Sequence, residues 1–143
     1  MRIALVALLA LTVCAYAEQD VDVKTDLNLL QGTWKVLTLE VDGKAQPPEK
    51  SPKQITIAGS QLKGIGPEMT IKLDPSKKPK WVDLNFKKGD KDYPIRAIYE
   101  VAGDDLTISM PLAIPGQQFE NTRPDRLESG KTVALFKAKR NAK

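Results

Sequence analysis

Histidine is absent from this chain of 143 residues, and Cys14 is its only cysteine. Aromatic residues are also scarce, at 6% of the sequence. Without histidine there is no Ser-His-Asp triad and no histidine-based zinc or iron site. Carboxylates, lysine, tyrosine and serine remain for catalysis, and no recognisable motif places a pair of them. We therefore predict a protein that is not an enzyme, with no catalytic residues, no metal and no cofactor.

Residues 1–17 have the features of a secretory signal peptide. Arg2 supplies the positive charge, an apolar run from Ile3 to Val13 follows, and Ala15-Tyr16-Ala17 is a cleavage site of the A-x-A type. The run is shorter than the roughly 20 residues that span a bilayer. A retained membrane anchor is one alternative. Lipid attachment at Cys14 is another, because the residues before it resemble a bacterial lipobox. We predict cleavage and export to the periplasm or the medium.

Cleavage would leave about 126 residues with no cysteine, so no disulfide would support the fold. A domain of this size buries roughly two-thirds of its unfolded surface, which is enough for an unaided core. The formal net charge of +4 falls by one when Arg2 is removed, and the two signs are interspersed along the chain. This pattern describes a solvated surface, so we predict no nucleic-acid partner and no membrane span after cleavage. Residues 18–24 are predicted to be a flexible tether.

Alternating apolar and polar residues recur along most of the remaining chain. Val82, Leu84 and Phe86 alternate with polar residues in the clearest case, which is typical of a half-buried strand. Gly-Asp and Asp-Gly turn signals separate several of these stretches. The pattern predicts about eight strands, at residues 33–41, 54–57, 61–63, 69–74, 81–87, 95–101, 106–110 and 132–139.

Eight sequential strands indicate an all-β, antiparallel fold in a single domain at residues 25–143. An up-and-down barrel is favoured because closure removes exposed edges, and a sandwich is the alternative. A short helical turn with Leu27, Leu29 and Leu30 is predicted before the first strand, N-capped by Thr25 or Asp26. That strand is apolar on both faces, so it is either covered on both sides or bent by a bulge.

The inward side chains of this barrel would be mostly aliphatic. They are Ile55, Ile57, Leu62, Met69, Ile71, Leu73, Val82, Leu84, Phe86, Leu106 and Ile108. A small barrel is just wide enough to be packed solid or to hold one small ligand, and residue types do not decide between the two. If the barrel is hollow, the possible pocket lining is Ile57, Met69, Ile71, Leu84, Phe86 and Ile108.

Several stretches carry charge or glycine without a clear site. Acidic residues at 89–92 and 103–105 are too few for a calcium loop and fit ordinary turns. Gly64-x-Gly66 lacks the third glycine and the following helix of a dinucleotide loop. Lysines at 77–80 and 137–143 could meet an anionic surface, or they could simply keep strand edges soluble. The segment from residue 111 to 131 is either a lid or a loop with a short strand near 126–128.

Longer matches carry a family resemblance. They are Leu30-Gln31-Gly32-Thr33-Trp34-Lys35-Val36 with Glu40-Val41-Asp42-Gly43-Lys44, Leu73 to Lys80, Ile98-Tyr99-Glu100, Gly103 to Thr107, and Arg123-Pro124. In these residues the chain closely resembles an uncharacterised family of lipocalin-like domains, a calycin-like β-barrel family abundant in planctomycete-type bacteria.

The resemblance implies a structural motif at one end of the barrel. Gly32-x-Trp34 is similar to the first-strand motif of lipocalins, in which the tryptophan lies across the closed end. An arginine after the last strand packs on that tryptophan, and Arg140 is the candidate here. The expected function is the binding of a small apolar or amphipathic ligand inside the barrel, gated by residues 111–131. The alternative is a structural or protein-interaction domain of the cell envelope with a solid core.

Overall fold

The computed structural model describes residues 23–113 and 119–141. The predicted signal peptide, with Cys14 and the cleavage site, lies outside these residues, as do residues 18–22, 114–118 and 142–143. Helix α1 covers residues 23–30, so Val23 and Lys24 of the predicted tether are helical. The strands are β1 (Gly32–Val41), β2 (Lys44–Ala45), β3 (Gln54–Ala58), β4 (Gln61–Gly64), β5 (Gly66–Asp74), β6 (Lys80–Lys88), β7 (Lys91–Ala102), β8 (Asp105–Pro111) and β9 (Val133–Arg140), with a 3-10 turn at Pro48–Lys50.

The strands form one closed barrel. Each of the strands β3 to β8 pairs with the next one along the chain, β1 pairs with β3, and β9 pairs back with β1. Every pairing is antiparallel, and β2 only extends β1 through the turn at Asp42-Gly43. The predicted all-β, up-and-down barrel of eight strands is therefore confirmed, and the sandwich alternative is wrong.

Strand β1 changes the face that it turns to the core at a bulge. Its register with β9 shifts between Val36 and Thr38, and Leu37 at the shift is 55% exposed. Because one extra residue reverses the alternation of side chains, Trp34 and Leu39 both pack against the core. The bulge explains why this strand is apolar on both faces in the sequence.

The core occupies the barrel interior, and α1 closes one end of it. Ten of the eleven predicted inward residues are buried, and Phe86 is partly buried against them. On α1, Val23, Leu27 and Leu30 recur at helical spacing and pack on the same core. The prediction that Asp26 caps this helix is wrong. Asp26 lies within the helix on its inward stripe and is 6% exposed.

Gly64 serves the backbone rather than a ligand. It has a φ of +114°, and a Cβ atom there would overlap the carbonyl oxygen of Gln54. The hairpin from β4 to β5 therefore approaches β3 more closely than any side chain would allow. This close approach accounts for Gly64, and Gly66 has a φ of +66°, which favours glycine in the turn into β5.

Residues 119–131, which we call the strap, run along the outer wall of the barrel. The Asn121 amide accepts from the Arg96 N–H at 3.0 Å and donates to the Pro94 carbonyl at 2.7 Å, which satisfies polar groups of β7. Further along, Ser109 Oγ donates to the Glu128 carbonyl at 3.1 Å. The predicted short strand near 126–128 is absent. The end of the strap bonds the turn at Asp42-Gly43, where the Gly43 N–H donates to Ser129 Oγ at 2.8 Å.

Arg123 anchors the strap. Its guanidinium donates to the Ala97 carbonyl at 2.8 Å and to Asp83 Oδ1 at 2.6 Å, and it lies 4.2 Å from the ring centre of Trp81. Beneath the strap, Ile98, Ser109 and Leu135 stand in one outward-facing row of paired residues, yet each is at most 3% exposed. The outer wall therefore has a second buried layer where the strap covers it.

Candidate functional site

The family resemblance predicts a motif of Gly32, Trp34 and Arg140, and these three residues lie together at the closed end of the barrel. The Trp34 ring is fully buried, its Nε1 donates to the Leu30 carbonyl at 2.9 Å, and Arg140 lies 4.2 Å from the ring centre. Arg140 also donates to the carbonyls of Leu29 and Gln31. These carbonyls lie at the C-terminal end of α1, where a helix leaves its last carbonyls without an intrahelical partner. Gly32 has a φ of +119°, and a Cβ atom there would lie 3.3 Å from the Arg140 guanidinium. These contacts join α1, β1 and β9.

Buried side chains pack in the interior beside this plug. A void of about 10 Å³ lies among them, which is roughly the space that a single water molecule requires. Its walls are apolar apart from Tyr99 and include four predicted pocket residues, Ile57, Ile71, Leu84 and Ile108. Met69 is buried in the core elsewhere. This void is too small for an organic ligand.

Phe86, the sixth predicted pocket residue, lies towards the open end of the barrel. It stands opposite Tyr93 on β7, and the two rings stack with their centres 5.4 Å apart and their planes 18° from parallel. Tyr93 is 40% exposed. Other side chains near this end are only partly buried against the core: Leu39, Val41, Ile65, Ile95 and Leu112. We call Phe86, Tyr93 and these five residues the mouth.

A polar cluster lies under α1. Asp26 Oδ2 accepts a hydrogen bond from the Tyr99 hydroxyl at 2.6 Å and one from Lys80 Nζ at 2.8 Å. A buried carboxylate needs such partners, because an unpaired charge in an apolar site is costly. The cluster ties α1 to β6 and β7, on the side of the barrel where these two strands meet the helix.

The chemistry of this cluster suits a structural role. Burial first, and then the hydrogen bond to Asp26, raise the pKa of Tyr99 above its usual value of 10.0. The phenol therefore keeps its proton near neutral pH and acts as a donor rather than as a base or nucleophile. The void beside Tyr99 is too small for an organic reactant.

The raised pKa of Tyr99 predicts a loss of stability at high pH. In the unfolded chain the phenol ionises near pH 10, whereas the folded protein must keep it protonated. The unfolded state then binds fewer protons, so the free energy of unfolding falls by up to about 1.4 kcal/mol per pH unit above pH 10. Below pH 10 the phenol is protonated in both the folded and the unfolded state, so this loss of stability is absent. Urea unfolding of the wild type and of Tyr99→Phe between pH 8 and pH 11 measures the difference.

Tyr99→Phe should lose about 1–2 kcal/mol at pH 8, since Asp26 keeps Lys80 but loses one donor. Its remaining slope above pH 10 should be shallower than that of the wild type. Tyr93→Phe is the matched control for removal of a phenol hydroxyl, because Tyr93 is 40% exposed, and it should change the stability at pH 8 by less than about 0.5 kcal/mol. If the free energies of unfolding of the wild type and Tyr99→Phe fall in parallel above pH 10, Tyr99 is not the cause of the loss of stability.

Two residues of these sites escaped the sequence prediction. Asp26 stands three residues after Val23 and four before Leu30, so helical spacing could have placed it on the buried stripe. Its partners, 54 and 73 residues away, have no local signal. Arg123 belongs to the Arg-Pro pair of the resemblance, but nothing in the sequence indicates that it binds Asp83 and covers Trp81.

Comparison with protein-family models, with curated proteins and with solved structures finds no match for this chain. In the part of the chain that the structure describes, no group of three acidic or cysteine side chains could hold a metal ion. None of the helices described there has the length and apolar character that a membrane crossing requires.

Proposed function

We propose that this protein is an exported lipocalin-like domain that binds a small apolar or amphipathic molecule at the open end of its barrel. The proposal of export is based on residues 1–17, and the proposal of family membership is based on the sequence resemblance. The closed antiparallel barrel of eight strands is consistent with that family's fold. The site is the mouth rather than the deep interior, because a ligand in the interior would have to displace packed side chains.

The observation that carries this proposal is the half-exposed Phe86–Tyr93 stack. Aromatic rings that pack against each other and still face solvent offer a flat apolar surface to a third group. The neighbouring Val41, Ile65 and Leu112 are also only partly buried, so apolar area is left over at this end. Concave or recessed apolar surfaces with a few polar groups are the usual setting for small ligands.

Binding of a neutral apolar dye, N-phenyl-naphthylamine, measures the proposed site. Its fluorescence should rise on mixing with the wild type, and lauric acid should displace it. Tyr93→Ser should weaken dye binding about tenfold, because loss of one aromatic contact is equivalent to roughly 1.4 kcal/mol. Phe86→Ser should have a similar or larger effect, with its folding checked by circular dichroism.

Leu29→Ser is the matched control, because Leu29 is 46% exposed on α1 at the opposite end of the barrel. It should leave the affinity for the dye unchanged. Dye binding that Tyr93→Ser and Phe86→Ser do not weaken would rule out the mouth as the site. If the wild type binds neither the dye nor any component of lipophilic extracts, the proposal as a whole is refuted.

The small volume of the interior void favours a second candidate function, a structural or protein-interaction domain of the cell envelope. A barrel without a cavity presents its loops and walls on a rigid support, and ligand binding has no part in this function. Such a domain should co-purify with an envelope partner from its native host. Purification from that host without any partner would count against it.

A further inference from the structure

Three lysines stand together on the outer wall where the barrel closes. Lys35 on β1 is directly opposite Lys139 on β9, and Lys137 follows two residues away on the same face. All three are exposed. Directly opposed residues of an antiparallel pair have their Cβ atoms about 4.5–5.5 Å apart, so like charges there destabilise the sheet. We call these three residues the lysine row.

Edge protection does not explain the lysine row. Lysines often keep the unpaired edges of sheets soluble, but β9 is hydrogen-bonded to β8 on one side and to β1 on the other. β1 is likewise bonded to β3 and β9. Within the described residues, none of the three lysines lies within ion-pair distance of a carboxylate. Asp105 on β8 stands opposite Lys139, whereas neither Lys35 nor Lys137 has a carboxylate opposite it. The charge of the lysine row is therefore only partly balanced within the sheet.

A polar groove of about 720 Å³ adjoins the lysine row. Its lining comprises Asn28, Gln31, Gly32, Thr33, Gln54, Arg140 and Asn141. Gln54 is paired with Lys35 in the sheet, and Asn141 comes two residues after Lys139, so groove and row are continuous. The lining contains no carboxylate and no aromatic ring.

The groove offers groups that both donate and accept hydrogen bonds. The side chains of Asn28, Gln54 and Asn141 make no hydrogen bond to any other described residue. Gln31 and Arg140 are already engaged, with Gly59 and with the last carbonyls before β1, so they shape the groove. Arg140 also has Asp104 Oδ1 at 3.5 Å from its Nε, which offsets part of its positive charge. Amide groups complement hydroxyl groups, and the adjacent lysines complement carboxylates or sulfates.

From this combination we propose that the groove and the lysine row bind an anionic polysaccharide, a chain that carries hydroxyl groups and a carboxylate on its sugar rings. The volume of the groove lies within the range of roughly 300–1,000 Å³ that is usual for ligand sites. Single-stranded nucleic acid is disfavoured, because no aromatic ring of the groove is exposed for base stacking. This site is separate from the mouth, and it does not depend on the function proposed there.

Binding to polygalacturonate by titration calorimetry tests the proposal. The wild type should bind at low ionic strength and lose affinity as salt is added. The double variant K35Q/K139Q should bind about tenfold more weakly, since two of the three charges of the row are removed. The control K87Q/K88Q removes the same charge from the exposed end of β6, just before the turn into β7, and its affinity should change less than about twofold.

The amide groups of the groove need a separate measurement. The double variant N28A/Q54A keeps every charge, and it should weaken polygalacturonate binding while leaving the weaker binding of polyglutamate, a polyanion without hydroxyl groups, unchanged. All of these positions are exposed, so circular dichroism should show intact folding.

Four results would overturn the proposal. They are no binding of polygalacturonate, equal losses in the two lysine double variants, polyglutamate binding as tight as polygalacturonate binding, and tighter binding of DNA at the same salt concentration. The last would instead identify a nucleic-acid surface. Loss of polygalacturonate binding leaves dye binding at the mouth untouched, so the two proposals fail independently.

Discussion

Replacing Trp34 with alanine should lower the free energy of unfolding by about 3–5 kcal/mol, the largest loss expected for any single substitution here. The ring is fully buried between α1 and the core, so its removal leaves a cavity and frees the Leu30 carbonyl. Domains of this kind are stable by only about 5–15 kcal/mol. Urea unfolding at neutral pH should therefore find Trp34→Ala marginally stable.

Trp81→Ala is the matched control, because the chain has only these two tryptophans and Trp81 is 37% exposed on the outer wall. Its loss should be about 1 kcal/mol. Trp34→Phe, which keeps a ring but not the indole N–H, should fall between the two. Equal losses for Trp34→Ala and Trp81→Ala would show that the closed end does not depend on a plug.

The contact between Trp34 and Arg140 is measured by combining the two substitutions. Arg140 bonds two backbone carbonyls and covers the indole, so Arg140→Ala should also destabilise the barrel. Residues in direct contact show coupling energies of about 0.5–3 kcal/mol in a double-mutant cycle. Strictly additive effects would mean that the stacked arrangement contributes no energy of its own.

Arg123→Ala should release the strap and cost about 2–3 kcal/mol. The substitution leaves the Ala97 carbonyl without its guanidinium donor, removes the partner of Asp83, and uncovers one face of Trp81. Hydrogen exchange measured by mass spectrometry should rise within the strap and in the part of β7 beneath it. Trp81 fluorescence should shift to longer wavelength as the indole becomes more exposed.

Arg126→Ala serves as the control for this prediction, because Arg126 is on the same strap and is exposed. It should change stability by less than about 0.5 kcal/mol. Arg123→Lys should recover little, since one ammonium group cannot replace two guanidinium bonds and a stacked plane. Unchanged hydrogen exchange in Arg123→Ala would mean that the strap is held by its other contacts, such as those of Asn121 and Glu128.

Much of the barrel could be predicted from the sequence because the relevant signals are local. Alternation with period two places a strand and its inward face within a few residues, as at Val82, Leu84 and Phe86. The apolar residues on both faces of β1 predicted either cover on both sides or a bulge, and the register shift after Val36 is a bulge. The position of Trp34 at the start of the first strand likewise follows from the short Gly32-x-Trp34 motif and the resemblance that it carries.

Only the tertiary structure decided which distant groups meet. Asp26 accepts hydrogen bonds from Tyr99 and Lys80, and Arg123 donates to Asp83. Barrel closure and the path of the strap bring these residues together, although they are far apart in the chain. Lys35 and Lys139 oppose each other only because the last strand pairs with the first. The size of the interior void is also a tertiary property, since it depends on how whole side chains interlock. The sequence by itself determined the strands and the kind of residue on each face. Packing decided that the void beside Tyr99 has room for only about one water molecule, and this small size is why the candidate ligand sites are the mouth and the outer wall.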